Sequence, residues 1–207
     1  EAVERLITGK ADVNAPTPRG LTALMIAASA RDPGVLKSLL GAGADARARD
    51  RDGRDALWYA ASRGSPAAVE LLLGAGAEPN APRGERSALF AALQAVQPEI
   101  VRQLLAKGAS ANVETDSGDT PLMLAAAHNR AELVRPLLEA GANVNARNSA
   151  GDTALIIAAR AGEAGVCRDL LSAGADLGLR NAAHMNALDA ARRRKLDQIA
   201  ALLASTR

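Results

Sequence analysis

Two patterns of apolar and polar positions take turns along this chain. In the first, a leucine leads a run rich in alanine: LTALMIAA (21–28), RDALWYAA (54–61), RSALFAAL (86–93), DTPLMLAA (119–126), DTALIIAA (152–159) and MNALDAAR (185–192). In the second, aliphatic residues recur at i, i+3 or i+4: Val35 and Leu39; Val69, Leu72 and Leu73; Ile100 and Leu104; Val134, Leu137 and Leu138; Val166 and Leu170. That spacing puts the apolar groups on one face of a helix, so each pattern predicts a short helix. Thr22, Thr120 and Thr153 stand before an Ala or Pro and then a Leu, as a helix start requires, and Asp55, Ser87 and Asn186 take the same place in the other units. The Leu and the Ala pair that follow form a narrow face on which helices can approach closely.

A third phrase punctuates the helices: ITGKADVN (7–14), GAGADARA (41–48), GAGAEPNA (74–81), AKGASANV (106–113), EAGANVNA (139–146) and SAGADLGL (172–179). Its equivalent alanines, Ala11, Ala44, Ala77, Ala109, Ala142 and Ala175, are spaced 33, 33, 32, 33 and 33 residues apart. The leucines Leu24, Leu57, Leu89, Leu122, Leu155 and Leu188 are spaced 33, 32, 33, 33 and 33 residues apart, the same period with one short step. Two phrases locked to one period identify a repeat in which each unit reads helix, short turn, helix, long turn. One such pair of helices cannot bury its apolar stripe alone. Stacked neighbours can, and the result is a solenoid held by contacts between adjacent units. Gly43 is expected to end its helix in the left-handed conformation that glycine adopts cheaply.

The fourth unit, GDTPLMLAA (118–126) through LVRPLLEAGANVNA (133–146), resembles the ankyrin repeat, and the likeness extends over essentially the whole chain. The resemblance implies an all-α solenoid of helix-turn-helix units with β-turn finger loops. It implies one domain over 1–207: a partial repeat at 1–15, repeats at 16–48, 49–81, 82–113, 114–146 and 147–179, and a terminal cap at 180–207. Several residues depart from the family pattern. The family's histidine after the leucine is replaced by Met25, Trp58, Phe90, Met123, Ile156 and Asp189, so apolar packing is expected to stand in for its hydrogen bonds. The third unit is one residue short and has Glu85 where the family has glycine, which predicts an irregular finger. Pro136 falls inside a second helix and predicts a kink or a later helix start. Residues Ala2 to Thr8 read as a second helix without its first, which leads us to expect further residues upstream. Arg192, Arg193, Arg194 and Lys195 read as a polar terminal cap.

Composition narrows the functional classes. The net charge is +2, and only four of the 25 basic residues are lysine, so no general case arises for nucleic acid or an anionic membrane. One Trp, one Tyr and one Phe leave Ala and Leu to fill the interior. Cys167 is the single cysteine, which excludes an internal disulfide and a cysteine zinc site. No stretch approaches the ~20 apolar residues that span a bilayer. The chain has no initiating Met and no signal peptide, so its start reads as a processed or excised end, with a cytoplasmic or, after removal of a signal peptide, periplasmic or secreted location open. The abundance of Ala, Arg and Gly points to a GC-rich bacterial genome.

No constellation supports catalysis, a cofactor or a metal. The glycine pairs follow helices, where carbonyls and not amides face outward, so they do not form a phosphate loop. His128 and His184 lie nearly two repeats apart and read as turn residues, and Cys167 reads as a small buried hydrophobe. Asp45, Glu78, Asn143 and Asp176 recur at one repeat position and read as turn formers. The resemblance places function on the finger loops and the inner face of the first helices, engaging another protein. The first three units supply Arg19, Leu21, Arg51, Asp52, Arg54, Arg83, Glu85 and Arg86, with Arg63 and Gln94 at the helix ends. The next two supply Asp116, Asp119, Ser149 and Asp152, with His128 and Arg160 behind them. The expected groove therefore runs from Arg-rich to acidic. Trp58, Tyr59 and Phe90 lie in adjacent units, with Trp58 and Phe90 at equivalent positions. Two readings stay open for them: filling the space left by the histidine, or a binding hot spot ringed by Arg51, Arg54, Arg63 and Arg86. The expectation is a monomeric protein-binding module that binds no nucleic acid and does not enter a membrane. The alternative is a regulatory or targeting segment of a larger polypeptide with an enzyme upstream.

Overall fold

All six first helices begin at a side chain that accepts a hydrogen bond from the amide three residues on. Thr22 accepts from Met25, Asp55 from Trp58, Ser87 from Phe90, Thr120 from Met123, Thr153 from Ile156, and Asn186 from Asp189, at 2.8–3.4 Å. Each bond satisfies an amide that the helix itself leaves unpaired. The computed structural model describes residues 9, 11–30, 32–82 and 84–206. Among them are twelve α-helices, one 3₁₀ turn (Gly84–Arg86) and no strand, so the chain is all-α. The helix expected at Ala2 to Thr8 lies outside the described residues.

The helices fall into two compact units, Glu1–Ala109 and Ser110–Arg207. The first unit holds α1 (Ala23–Ala30), α2 (Pro33–Gly41), α3 (Ala56–Arg63), α4 (Pro66–Gly74), α5 (Ala88–Gln94) and α6 (Pro98–Ala106). The second holds α7 (Pro121–Ala127), α8 (Ala131–Glu139), α9 (Ala154–Ala161), α10 (Ala164–Ser172), α11 (Ala187–Arg193) and α12 (Asp197–Ser205). In each unit the first helices form one layer, α1 on α3 on α5 and α7 on α9 on α11. The second helices form the other, α2 on α4 on α6 and α8 on α10 on α12.

Alanine makes the close stacking possible. Ala28, Ala60, Ala61, Ala92, Ala125, Ala126, Ala158 and Ala159 are fully buried between neighbouring helices, with the repeat leucines Leu24, Leu57, Leu89, Leu122 and Leu155 beside them. Met25, Phe90, Met123 and Ile156 are buried as well, so apolar packing occupies the position of the family's histidine in four units, while Trp58 is half-buried and Asp189 accepts from the Asn186 amide and from Arg180. Pro33, Pro66 and Pro98 start second helices at positions where the missing N–H costs nothing. Gly43 ends α2 at φ +86°, and Ala44 donates to the carbonyl of Leu39 behind it.

Pro136 does not delay its helix. The second helix α8 begins at Ala131 and has nine residues, as do α6 before it and α10 after it. Leu133, Val134 and Leu137 are buried on either side of the proline, and their packing holds the register through it.

The long turns are tied by asparagines whose role the pattern reading missed. In the first unit Asn14 donates to the carbonyl of Gly43 (3.2 Å) and accepts from the amide of Asp45 (2.8 Å), and Asn80 donates to Gly108 (2.8 Å). In the second, Asn112 donates to Gly141 (2.8 Å) and accepts from Asn143 (2.7 Å), while Asn145 bonds Gly174 and Asp176 in the same way. Arg47 substitutes with its Nε on the carbonyl of Gly76 (3.1 Å). Asp45, Asn143 and Asp176 bond amides two residues ahead, as turn formers do.

Candidate functional site

The second finger, Asp50 to Arg54, is organised by one buried carboxylate. Asp50 accepts from the amides of Asp52 and Arg54 through Oδ1, both at 2.9 Å. Its Oδ2 accepts from Arg54 Nε (2.9 Å) and from the hydroxyl of Tyr59 on α3 (2.7 Å). Burial alone would raise the Asp50 carboxyl, but the bonds from Tyr59 and Arg54 outweigh it and hold the group below the usual carboxylate range. Burial and the bond to Asp50 push the Tyr59 phenol up to about 12, so it remains a neutral donor. Arg54 also pairs with Asp52. Fixed in this way, its guanidinium lies 5.0 Å from the ring centre of Trp58 and 5.4 Å from that of Tyr59. The two rings meet edge to face at 5.2 Å. This is a pre-set cation–π assembly on the finger side of α3.

The first finger lies alongside, with the amide of Arg51 donating to the carbonyl of Arg19 at 3.2 Å. Gly20, at φ +80°, permits that approach, since a Cβ there would sit 2.9 Å from the Arg51 nitrogen. Arg19, Leu21, Asp50, Arg51, Asp52, Arg54 and Tyr59 line a hollow of about 360 Å³. Arg86 belongs elsewhere: its Cδ lies over Gly53, and it lines a second hollow with Arg49 and Glu78. The third finger is the irregular one, its turn replaced by Gly84–Arg86. Arg63 is exposed at the last residue of α3. Of the arginines expected around the aromatics, Arg54 lies over both rings. Arg51 shares the hollow with Arg54, and Arg86 lines the second hollow.

In the second unit the acidic residues are mostly engaged. Asp119 accepts from Asn148 and Ser117, each at 2.7 Å. Asp152 is 5% exposed and accepts from Arg160 (2.7 Å) and Asn181 (2.6 Å). It is a buried brace between fingers and not a surface acid, because Asn181 and Arg160 close over it. Asp116 and His128 are exposed. Fingers align here as in the first unit, with Ser149 donating to Ser117 and Ala182 to Ala150.

A family model for ankyrin repeats in three copies matches residues 1–83 and 88–181. The chain belongs to the ankyrin-repeat family. No curated protein sequence matches this ankyrin chain. Among solved structures it is similar to the human ASB11 ankyrin repeat domain, at 31% identity and TM-score 0.86, covering 98% of this chain and 91% of that one. It is similar to the ankyrin repeat domain of Bcl-3, a member of the IkappaB family, at 32% identity and TM-score 0.82, covering 96% and 90%. It also resembles a chain in the structure of the Bd0816 predatory endopeptidase from Bdellovibrio bacteriovorus in complex with immunity protein Bd3460, at 28% identity and TM-score 0.81, covering 93% and 100%.

Against the ankyrin frame the sequence-derived residues sort clearly. Arg19, Arg51, Asp52, Arg54, Trp58 and Tyr59 come together on the finger face of the first unit. Phe90 does not join them: it is 1% exposed on α5, which agrees with the space-filling reading of the two and takes it out of the partner-facing set. Arg83 lies outside the described residues. Asp50 is the residue the pattern missed, and the signal was available. It stands where Thr17, Thr115, Asn148 and Asn181 stand in other units, and each of these accepts from a finger amide. Cys167 is fully buried and its thiol is pushed up to about 12, which suits a packing role.

Proposed function

We propose that this chain is a non-catalytic protein–protein interaction module that grips a partner through its finger loops and the finger side of its first helices. The ankyrin fold is typically such a module, and one of the similar structures is a complex between two proteins. The observation that carries the reading is the assembly of Arg54, Trp58 and Tyr59, held in place by Asp50 and Asp52 beside an open hollow. Arg, Trp and Tyr are the residues that most often anchor interfaces. Ordering them before binding lowers the entropy cost of association. In the first unit the contact set is Arg19, Arg51, Asp52, Arg54, Trp58, Tyr59, Arg63 and Arg86. In the second it is Asp116, Asp119, His128 and Arg160. Phe90 and Asp152 act on this surface only by supporting it from within.

The test is affinity capture from native extract with the parent chain and with a Trp58→Ala, Arg63→Ala double variant, each checked for folding by its thermal melt. The expected result is a captured protein that the variant fails to retain. Recovery of every captured protein unchanged by the variant overturns the reading.

A further inference from the structure

The hollow of the first unit has a charge arrangement that suits one class of occupant. The bond from the Arg51 amide to the Arg19 carbonyl sets two arginines on neighbouring fingers, and both are exposed. Both line the same hollow, where like charges repel. The nearest acids do not relieve them, because Asp50 and Asp52 are both bound to Arg54. No other carboxylate among the described residues pairs with either arginine. Between them the charged lining is interrupted by one aliphatic side chain and one ring. Leu21 and Tyr59 line the hollow and are half-exposed. Ile26 holds on α1 the register that Tyr59 holds on α3, two residues after the repeat leucine, and it is 50% exposed. At about 360 Å³ the space takes one or two large side chains, not a packed helix or domain.

We propose that this hollow receives an extended acidic segment of the partner protein, with carboxylates on Arg19 and Arg51 and a large apolar side chain on Leu21 and Tyr59. The inference rests on the interaction-module reading and names the chemistry of its partner. Carboxylates suit the two guanidinium groups, which present paired donors in a plane. A nucleic acid would need a longer basic stripe and would leave the apolar part of the lining unused. An acidic peptide with an apolar anchor uses both.

A random 12-residue peptide library displayed on phage tests this, panned over the parent chain and over the R19S/R51S double variant. Both side chains are exposed, so the variant should melt as the parent does. The expected outcome is enrichment of peptides with at least two Asp or Glu around one large apolar residue. A synthetic copy of the best such peptide should bind the variant about tenfold or more weakly, the loss of one or two charge-assisted bonds. Its binding to the parent should also weaken as salt rises from about 0.05 M to about 0.5 M. A Leu21→Ser variant, which keeps both arginines, should weaken it as well. Enrichment without acidic residues, no enrichment at all, or equal binding to parent and R19S/R51S overturns the proposal. A captured partner lost with Trp58→Ala, Arg63→Ala but kept by R19S/R51S overturns this inference alone and leaves the interaction module standing.

Discussion

Asp55 starts α3 with a carboxylate where its counterparts use a hydroxyl or an amide: Thr22, Ser87, Thr120, Thr153 and Asn186. The site is buried, and desolvation pushes the Asp55 carboxyl up to about 6 despite the bond from the Trp58 amide and the charge of Arg49. An acid whose folded pKa is raised above the unfolded 3.8 contributes its stability fully below about pH 4, and that contribution is lost as pH rises through 6. The span corresponds to a penalty on the order of 3 kcal/mol above pH 6. Asn at this position keeps the cap and cannot ionise. Asp55→Asn should therefore gain on the parent in urea unfolding by about 1–3 kcal/mol between pH 4 and pH 7. Asp50 is shifted the other way, so its contribution is lost as pH falls below the ordinary carboxylate range. Both proteins share it, and it cancels in the comparison. A constant difference between the two proteins over that pH window would contradict the assignment.

At the scale of the element, α8 shows tertiary packing overriding local preference. A proline at the sixth residue of a nine-residue helix removes one backbone bond and crowds the preceding turn. The helix nonetheless keeps its start and length, since Leu133, Val134 and Leu137 are buried in the second-helix layer. Pro136 itself is only half-buried. Pro136→Ala should raise stability by about 1–3 kcal/mol, less than the full helix penalty because proline also restricts the unfolded chain. A thermal melt that moves down would show that the proline makes contacts of its own. The asparagine ties of the long turns are a second element-scale device. Each closes one donor and one acceptor across successive turns, so the register of the turns is set by side chains as well as by helix packing.

At the scale of the whole molecule, within each unit the helices pack on those of the adjacent repeat. In the second unit α9 packs on α7 and on α11, and Leu155 of α9 is buried in that layer. Stability in such a stack is a sum over repeats and their neighbours. Leu155→Ala should cost about 2–5 kcal/mol. Hydrogen exchange should then quicken most in α7, α9 and α11, with α1 and α3 least affected. An equal rise in all twelve helices would show that the stack unfolds as one body.

The sequence by itself determined the repeat, its period, the six caps, the all-α class and the ankyrin family. Those follow from local chemistry repeated in register: a side-chain oxygen before a helix, a leucine and an alanine pair on one face, a glycine after the helix end. The finger residues that gather at the hollow were also legible, because Arg19, Arg51 and Arg54 fall at variable positions of known register. Burial at equivalent positions was not. Trp58 and Phe90 occupy the same place in adjacent repeats, yet Phe90 is enclosed while Trp58 lies half-buried under Arg54. Asp152 likewise reads as an exposed finger acid, and Asn181 with Arg160 closes over it from 29 and 8 residues away. Such outcomes depend on which side chains the neighbouring repeat presents. Only the tertiary structure brings those side chains together, so it alone decided which charged groups brace the fold and which stay exposed on the fingers.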